Sequence, residues 1–226
     1  MKVYPLEMLG RCIHEAGHAA MFWYVGNTFH DDSELNLRTT PEKREIDFFQ
    51  WPRVMSLERI KESHKSDDPV YRECVNKAVE DSILIALGGP LAEHRFKGRG
   101  CPVRAIRWEV KTPGSDAARI REYLLALKGK DDKPYQLSLQ KRAWTVITET
   151  RIWDAIQKTA KKLLRRRHLL GSEINSIFEK SGAPQWYWCR DPLHWERWFD
   201  TPPLPPVETP PVARRQRLVC APSSST

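Results

Sequence analysis

Residues 12–23 read CIHEAGHAAMFW, and they contain the motif H-E-x-x-H at positions 14 to 18. On a helix, residues four apart lie on the same face, so His14 and His18 can reach one metal ion together. Imidazole nitrogens bind zinc at about 2.0–2.1 Å. Glu15 points beside such an ion, where it can accept a proton from a water molecule. Two ligands and a base in one turn of helix are typical of a zinc peptidase.

The alternative interpretation is an ordinary solvated helix that happens to carry His and Glu. The flanking side chains argue against it, because Ile13, Met21 and Phe22 are apolar and predict a mostly buried helix. A buried charged group needs a partner, and a metal ion is one such partner. We therefore favour a zinc site.

The composition indicates one globular domain with an appendage. The chain has 226 residues, of which 40% are hydrophobic and 29% charged. Its strongly apolar stretches, such as residues 83–87, are far shorter than the roughly 20 residues that span a bilayer. The first residues carry no apolar segment of a secretory signal. We expect a cytoplasmic protein with no membrane partner.

The cysteines do not predict a metal site or a disulfide framework. The chain has five of them, widely spaced and without a C-x-x-C pair: Cys12, Cys74, Cys101, Cys189 and Cys220. Cys12 lies two positions before His14, which puts it off the ligand face of a helix. We interpret it as a packing residue.

The charge pattern leaves two interpretations open. The net charge is +8, and the densest basic run covers residues 161–168. Such a run could contact nucleic acid, or it could be the polar face and last turn of a helix, where cations suit the helix dipole. Leucines at core-like spacing favour the second interpretation: Leu163, Leu164, Leu169 and Leu170. Nucleic acid is therefore not the favoured partner.

The periodicity predicts a mainly α-helical fold with a small β-hairpin or sheet. The alternation in residues 33–52 is typical of a hairpin, and residues 56–68 are a loop or short helix. Gly88-Gly89-Pro90 should interrupt the second long helix, and the glycine pair should permit close packing against another helix. Helices are expected over 8–25, 70–97, 115–127 and 136–168, with a short one from residue 171.

The composition changes near residue 183, which divides the chain into three parts. Residues 1–182 form the expected metallopeptidase-like domain. Residues 183–201 are an aromatic-rich extension that we expect to fold back onto it, because so many exposed tryptophans would favour aggregation. Residues 202–226 are rich in proline and should be extended or disordered.

Spacing does not identify a third metal ligand. A catalytic zinc ion usually has three protein ligands and one open position. The extended motif H-E-x-x-H-x-x-G-x-x-H is absent, because position 24 is Tyr24. The remaining candidates are acidic residues and scattered histidines: Glu93, Asp116, His30, His64, His94, His168 and His194.

Four segments, in order, resemble the peptidase domain of the FtsH family of ATP-dependent zinc metalloproteases. IHEAGHA at 13–19 resembles that family's H-E-A-G-H-A helix. IALGGPLAE at 85–93 resembles its L-G-G-R-x-A-E segment, with proline in place of arginine, and TPGSD at 112–116 resembles its T-G-A-x-x-D turn. Residues 160–174 resemble its closing helix pair. The resemblance spans roughly residues 8–181.

The resemblance implies an FtsH-type zinc peptidase domain in which His14, His18 and Asp116 bind Zn²⁺ and Glu15 is the catalytic base. Glu93 is then the fallback ligand, although a residue that hydrogen-bonds a ligand, or one that packs between helices, is the favoured role. The hairpin at 35–50 would be an edge strand that pairs with an extended substrate.

The resemblance also implies a function, a zinc metalloendopeptidase that hydrolyses extended or unfolded polypeptides. No phosphate loop G-x-x-x-x-G-K-[ST] occurs, so we expect activity without ATP, as a standalone version of the domain. Its partners would be a polypeptide substrate and, by analogy, a separate ATPase or further copies of the chain. The alternative is a non-catalytic zinc-containing regulatory protein that acts through protein or nucleic-acid contacts, but such a protein would not need Glu15.

Overall fold

Seven helices and a small antiparallel sheet make up the described residues. The computed structural model describes residues 6–31, 33–37, 46–48, 57–101, 115–129 and 132–185. The helices are α1 (Leu6–Tyr24), α2 (Leu57–Lys65), α3 (Pro69–Phe96), α4 (Asp116–Lys128), α5 (Lys133–Thr148), α6 (Thr150–Arg166) and α7 (Gly171–Lys180). The strands are β1 (Glu34–Leu37), β2 (Ile46–Phe48) and β3 (His168–Leu170). The expected class, mainly α with a small sheet, is confirmed.

Helix α1 lies in the middle of the helical part and packs mainly against α3 and α6. Between Cys12 and Trp23 every residue is buried except His14 and Glu15. A helix that is apolar on nearly every side must be buried to be stable. The apolar sequence therefore makes α1 a core helix, and the H-E-x-x-H motif is the place where two of its polar side chains remain partly exposed.

Helices α1 and α3 touch backbone to backbone where two glycines meet. A Cβ added to Gly17 would lie 2.4 Å from the Gly88 carbonyl oxygen and 2.6 Å from the Ala92 Cβ, and a Cβ on Gly88 would lie 2.4 Å from the Gly17 carbonyl oxygen. This confirms the prediction that the Gly88-Gly89 segment permits close packing against another helix. The predicted interruption is wrong, because α3 continues to Phe96. Pro90 lies inside it and has no N–H to donate to the helix ladder.

Gly17→Ala should destabilise the metal-free protein by about 1–3 kcal/mol, because the new methyl group has no space against the α3 backbone. The matched control is Gly10→Ala on the same helix. A Cβ at position 10 would meet only the Phe96 ring, at 3.7 Å. That change should be stabilising by up to about 1 kcal/mol, since alanine is the better helix former. Urea unfolding of the two variants measures the difference, and equal stabilities would contradict the close contact.

The helix expected over 136–168 is two helices. Glu149 has an extended backbone, with φ −61° and ψ 135°, and its side chain accepts a hydrogen bond from the Ile152 N–H at 2.8 Å. Glu149 therefore ends α5 and caps α6. Helix α6 ends before Arg167, which has a left-handed backbone with φ 66°, and β3 follows at once. The apolar periodicity continues across this break because α5 and α6 each bury an apolar face in the same core.

Strand β1 is the middle strand of the sheet, with the order β2-β1-β3 and both pairings antiparallel. Strand β3 was not expected. Within the described ranges, β1 is hydrogen-bonded on both sides, so the hairpin offers an open edge at β2 and not at β1. Gly171 closes this corner, because its N–H donates to the Ser33 carbonyl at 2.7 Å and an added Cβ would lie 1.9 Å from the His30 carbonyl oxygen.

Most of the basic run is the polar face and last turn of α6, as the favoured interpretation predicts, but His168 lies in β3. Leu163, Leu164 and Leu169 are buried, whereas Leu170, which was also expected in the core, is exposed. The Glu173 carboxylate of α7 pairs with Lys162, at 2.8 Å, and with Arg166.

The other sequence predictions have simpler outcomes. Among the helices of the described residues, none combines the length and apolarity needed to cross a bilayer. The residues that follow 185, which include most of the aromatic-rich extension and the whole Pro-rich tail, lie outside the described residues. Of the extension, Ala183 is buried, and its carbonyl accepts a hydrogen bond from the Trp23 ring N–H at 3.1 Å.

Candidate metal centre

Three side chains from two helices converge at the partly exposed H-E-x-x-H motif of α1. His14 and His18 come from α1, and Asp116 is the first residue of α4. The two Nε2 atoms are 3.1 Å apart, and Asp116 Oδ2 lies 3.1 Å from Nε2 of His14 and 3.3 Å from Nε2 of His18. In the described part of the chain, no second group of three metal-binding side chains comes together in this way.

The triangle has the size that a small divalent ion requires. Four ligands arranged tetrahedrally at about 2.0–2.1 Å from zinc are about 3.3–3.4 Å from one another. The three observed separations, 3.1, 3.1 and 3.3 Å, are close to that value. Two imidazoles and one carboxylate suit zinc, and they also suit other borderline divalent ions. The residues therefore fit a divalent-ion site with three protein ligands.

The ring of His18 is oriented by the backbone of α3. Its Nδ1 lies 2.8 Å from the Ile85 carbonyl oxygen, so Nδ1 carries the hydrogen and donates it. The Nε2 lone pair is then directed at the centre. Gly89 makes room for this ring, because an added Cβ would lie 2.3 Å from His18 Nε2. The Gly-Gly segment of α3 thus supports a ligand as well as the helix contact.

The ring of His14 is oriented by a side chain. Its Nδ1 lies 3.3 Å from Glu93 Oε2, and the carboxylate accepts the Nδ1 hydrogen. The other carboxylate oxygen of Glu93 lies 2.5 Å from Lys97 Nζ. Hydrogen bonds from the His14 ring and from Lys97 outweigh burial and lower the pKa of Glu93 to about 2. Glu93 is therefore an ionised acceptor on the Nδ1 side of the His14 ring. Asp116 is the carboxylate that lies beside the Nε2 atoms of both histidines.

Asp116 begins its helix under a serine cap. Ser115 Oγ accepts a hydrogen bond from the Ala118 N–H at 3.3 Å, which starts α4 at Asp116. Burial alone would raise the pKa of the Asp116 carboxyl, but charge on His18 and hydrogen bonds from both imidazoles outweigh burial and lower that pKa well below its usual range. A lowered pKa favours the ionised carboxylate, which is the form that binds a cation.

The two Nε2 atoms face each other at 3.1 Å, and the Nδ1 hydrogens of both rings are already donated to Glu93 and to Ile85. A metal ion or one further proton must therefore lie between the Nε2 atoms, and in the absence of a metal ion the proton makes one ring cationic. Burial alone would lower the pKa of the His14 imidazole, but hydrogen bonds to the Asp116 and Glu93 carboxylates outweigh burial and raise that pKa to about 10. A metal ion must displace this proton.

Zinc binding should therefore release about one proton from His14 near neutral pH. Low pH favours the protonated ring and high pH favours the metal, so the association constant should rise about tenfold per unit between roughly pH 6 and pH 8. Calorimetric titration of metal-free protein at three pH values, in buffers of different ionisation enthalpy, gives the affinity and the proton count. An affinity that does not change with pH would contradict this competition.

Glu15 adjoins the ligand His14 in sequence and is half-buried. Burial raises the pKa of the Glu15 carboxyl above its ordinary value, although charge on His18 and His14 partly opposes this. A carboxyl beside a metal-bound water is a group that can accept a proton and return it.

The remaining candidates do not join the centre. Cys12 is buried, and burial together with the negative charge of Glu15 raises the pKa of its thiol to about 12. It is a packing residue, as expected. His30 is exposed in the loop after α1, and His64 is exposed on α2. His94 Nε2 lies 3.1 Å from the Gly100 carbonyl oxygen, and His168 Nε2 lies 3.3 Å from Glu34 Oε2. His194 lies outside the described residues.

Two supporting residues were missed in the sequence. No local pattern reports that the Ile85 carbonyl accepts the His18 ring hydrogen, because that contact joins two helices. Lys97 did have a signal, since it follows Glu93 by four positions and ion pairs form at that spacing on helices.

Comparison of the chain with models of known protein families gives no match. No curated protein sequence is significantly similar to it either. The likeness to the FtsH peptidase domain therefore rests on the quoted segments.

Proposed function

We propose that this protein is a zinc-dependent metalloendopeptidase of the FtsH type that acts on extended or unfolded polypeptides. One observation carries the proposal: His14, His18 and Asp116 form a triangle of zinc-ligand size, and half-buried Glu15 is the residue next to His14 in the chain. Neither half is sufficient alone. A structural zinc site does not require a carboxyl beside a ligand, and a carboxyl without a metal-bound water has no proton to accept for hydrolysis.

A zinc ion bound at the triangle would acidify a water molecule and polarise the scissile carbonyl. Glu15 accepts the proton of the attacking water and then delivers it to the leaving amine, so one side chain serves as base and acid in turn. His18 is kept in position by the Ile85 carbonyl, and His14 by the Glu93 carboxylate.

The position of Asp116 supports the FtsH-type assignment. Spacing left several acidic residues and histidines open as third ligand, and the resemblance singled out Asp116. Its carboxylate lies within 3.3 Å of both ring nitrogens, while Glu93 bonds the far side of the His14 ring. Contact between the H-E-A-G-H helix and the Gly-Gly helix, at Gly17 and Gly88, is consistent with both segments being parts of one catalytic unit.

The substrate class follows from what the chain can do unaided. Peptide hydrolysis needs an extended strand at the metal, and an outer strand such as β2 can hydrogen-bond one. Folded domains open fully only at a cost of about 5–15 kcal/mol, so they should be cleaved slowly. The proposed activity is therefore independent of ATP and directed at flexible chains.

The test is metal analysis of the purified protein followed by cleavage assays. We expect about one zinc ion per chain, cleavage of a flexible fluorogenic peptide without ATP, loss of cleavage with a chelator and recovery with zinc. A stable folded protein should be spared with or without ATP. Zinc without cleavage would instead identify a non-catalytic zinc protein, and absence of any bound metal would refute both.

A further inference from the structure

The Glu93 carboxylate is shared between the metal centre and the protein surface. Its Oε2 lies 3.3 Å from His14 Nδ1, and its Oε1 lies 2.5 Å from Lys97 Nζ. Lys97 is the C-cap residue of α3, and its side chain is half exposed. A line of three side chains therefore connects a solvent-exposed ammonium group with a candidate metal ligand.

The two histidines differ in how they are supported. The ring of His18 bonds to a main-chain carbonyl within α3, which cannot turn away. The ring of His14 bonds instead to the Glu93 carboxylate, which is one-third exposed and lies near the end of α3. Such a side chain can rotate into water and leave the ring without its acceptor. An ammonium group that binds one carboxylate oxygen keeps the other oxygen directed at His14.

We propose that Lys97 is a positioning residue, which orients His14 through Glu93 and so sets the metal affinity of the centre. The inference rests on the proposed function, because it concerns the same centre. Backbone capping is separate from this role, since the Lys97 N–H, and not its side chain, bonds to the Glu93 and Arg95 carbonyls. A side-chain substitution therefore leaves the helix end intact.

The competing interpretation is an ordinary surface ion pair with no influence on the metal. The chain offers a matched control in Asp154 and Lys158 of α6. Their Oδ2 and Nζ atoms are 2.5 Å apart, the acidic residue precedes the lysine by four positions, and the lysine side chain is 53% exposed against 50% for Lys97. In the control pair the neighbouring polar group is the Ser181 hydroxyl, which hydrogen-bonds to both side chains, and not a histidine ring.

The experiment compares the full-length parent with Lys97→Met, Lys97→Arg and Lys158→Met. Zinc dissociation constants are measured by competition with a chelating dye. In the zinc-loaded proteins, ¹H–¹⁵N spectra of the histidine rings report the Nδ1 hydrogen of His14. Melting temperatures check that every variant is folded.

Lys97→Met should weaken zinc binding about two- to fivefold, which is the range of an exposed ion pair and below the 10–100-fold typical of losing a residue that bonds the ligand directly. Its His14 Nδ1 hydrogen should exchange faster with water. Lys97→Arg should restore both values, and Lys158→Met should change neither.

The outcomes separate this inference from the proposed function. If the parent binds zinc and Lys97→Met matches Lys158→Met in affinity and in the His14 signal, Lys97 is not a positioning residue although the metal centre stands. Tighter zinc binding in Lys97→Met would also overturn the inference. A parent that binds no zinc would overturn the inference and the proposed function together.

Discussion

Glu15→Gln should bind zinc at about one ion per chain and lose most of its peptidase activity. Glutamine keeps the size and the hydrogen-bonding capacity of the side chain, but its amide does not accept a proton from water. General acid–base catalysis is typically worth 10²–10⁴-fold, so the rate of peptide cleavage should fall by about that factor. The measurement is kcat/KM for a fluorogenic peptide at saturating zinc, with zinc content determined on the same sample.

The control is Glu7→Gln, which removes a carboxylate from the same helix. The Glu7 side chain is 73% exposed and pairs with Arg11, away from the metal centre. It should cleave peptide at the parental rate. A Glu15→Gln variant that also cleaves at that rate would show that Glu15 is not the base, even if zinc is present.

Asp116→Ala should lose the metal and, with it, all activity. Two imidazoles without the carboxylate leave the metal ion with too few ligands and without the negative charge that neutralises it. The loss of zinc affinity should exceed the 10–100-fold typical of removing a residue behind a ligand. Glu93→Ala, which removes such a residue, should therefore cost less than Asp116→Ala. Metal analysis after dialysis and competition titration measure both.

Asp132→Ala separates loss of the ligand from damage at a helix start. Asp132 caps α5, where its carboxylate accepts a hydrogen bond from the Tyr135 N–H at 3.0 Å. Its removal should be destabilising by about 1 kcal/mol while zinc binding is unchanged. An Asp116→Ala variant that retains full zinc affinity would exclude Asp116 from the ligand set and reopen the choice among the remaining candidates.

The sequence predicts best where chemistry and local geometry coincide. The H-E-x-x-H spacing places both histidines on one helix face, and the flanking apolar residues require that helix to be buried. Ser115 before Asp116 predicts a helix start, and α4 begins there. These features depend only on neighbours within a turn of helix. Local sequence is therefore enough to specify two candidate metal ligands, the helix that carries them and the start of α4.

Local sequence predicts poorly where one pattern of apolar residues is compatible with two different structures. Residues 136–168 have helical periodicity throughout, yet Glu149 divides them and Arg167 ends the second helix. Strand β3 has only three residues, and it forms because β1 is available to pair with it. A short strand has little propensity of its own, so its existence depends on the partner strand.

By itself, the sequence determined that His14 and His18 share one face of α1, that the Gly88-Gly89 pair permits close packing against another helix, and that the fold is mainly helical with a small sheet. Only the tertiary structure decided which carboxylate lies beside the Nε2 atoms of both histidines and which one bonds to Nδ1 of His14. Asp116 and Glu93 are both acidic and both lie on helices, at 102 and 79 positions from His14. The choice between them depends on how α3 and α4 pack against α1, because chain separation on that scale leaves the distance between two side chains open until the helices are packed together.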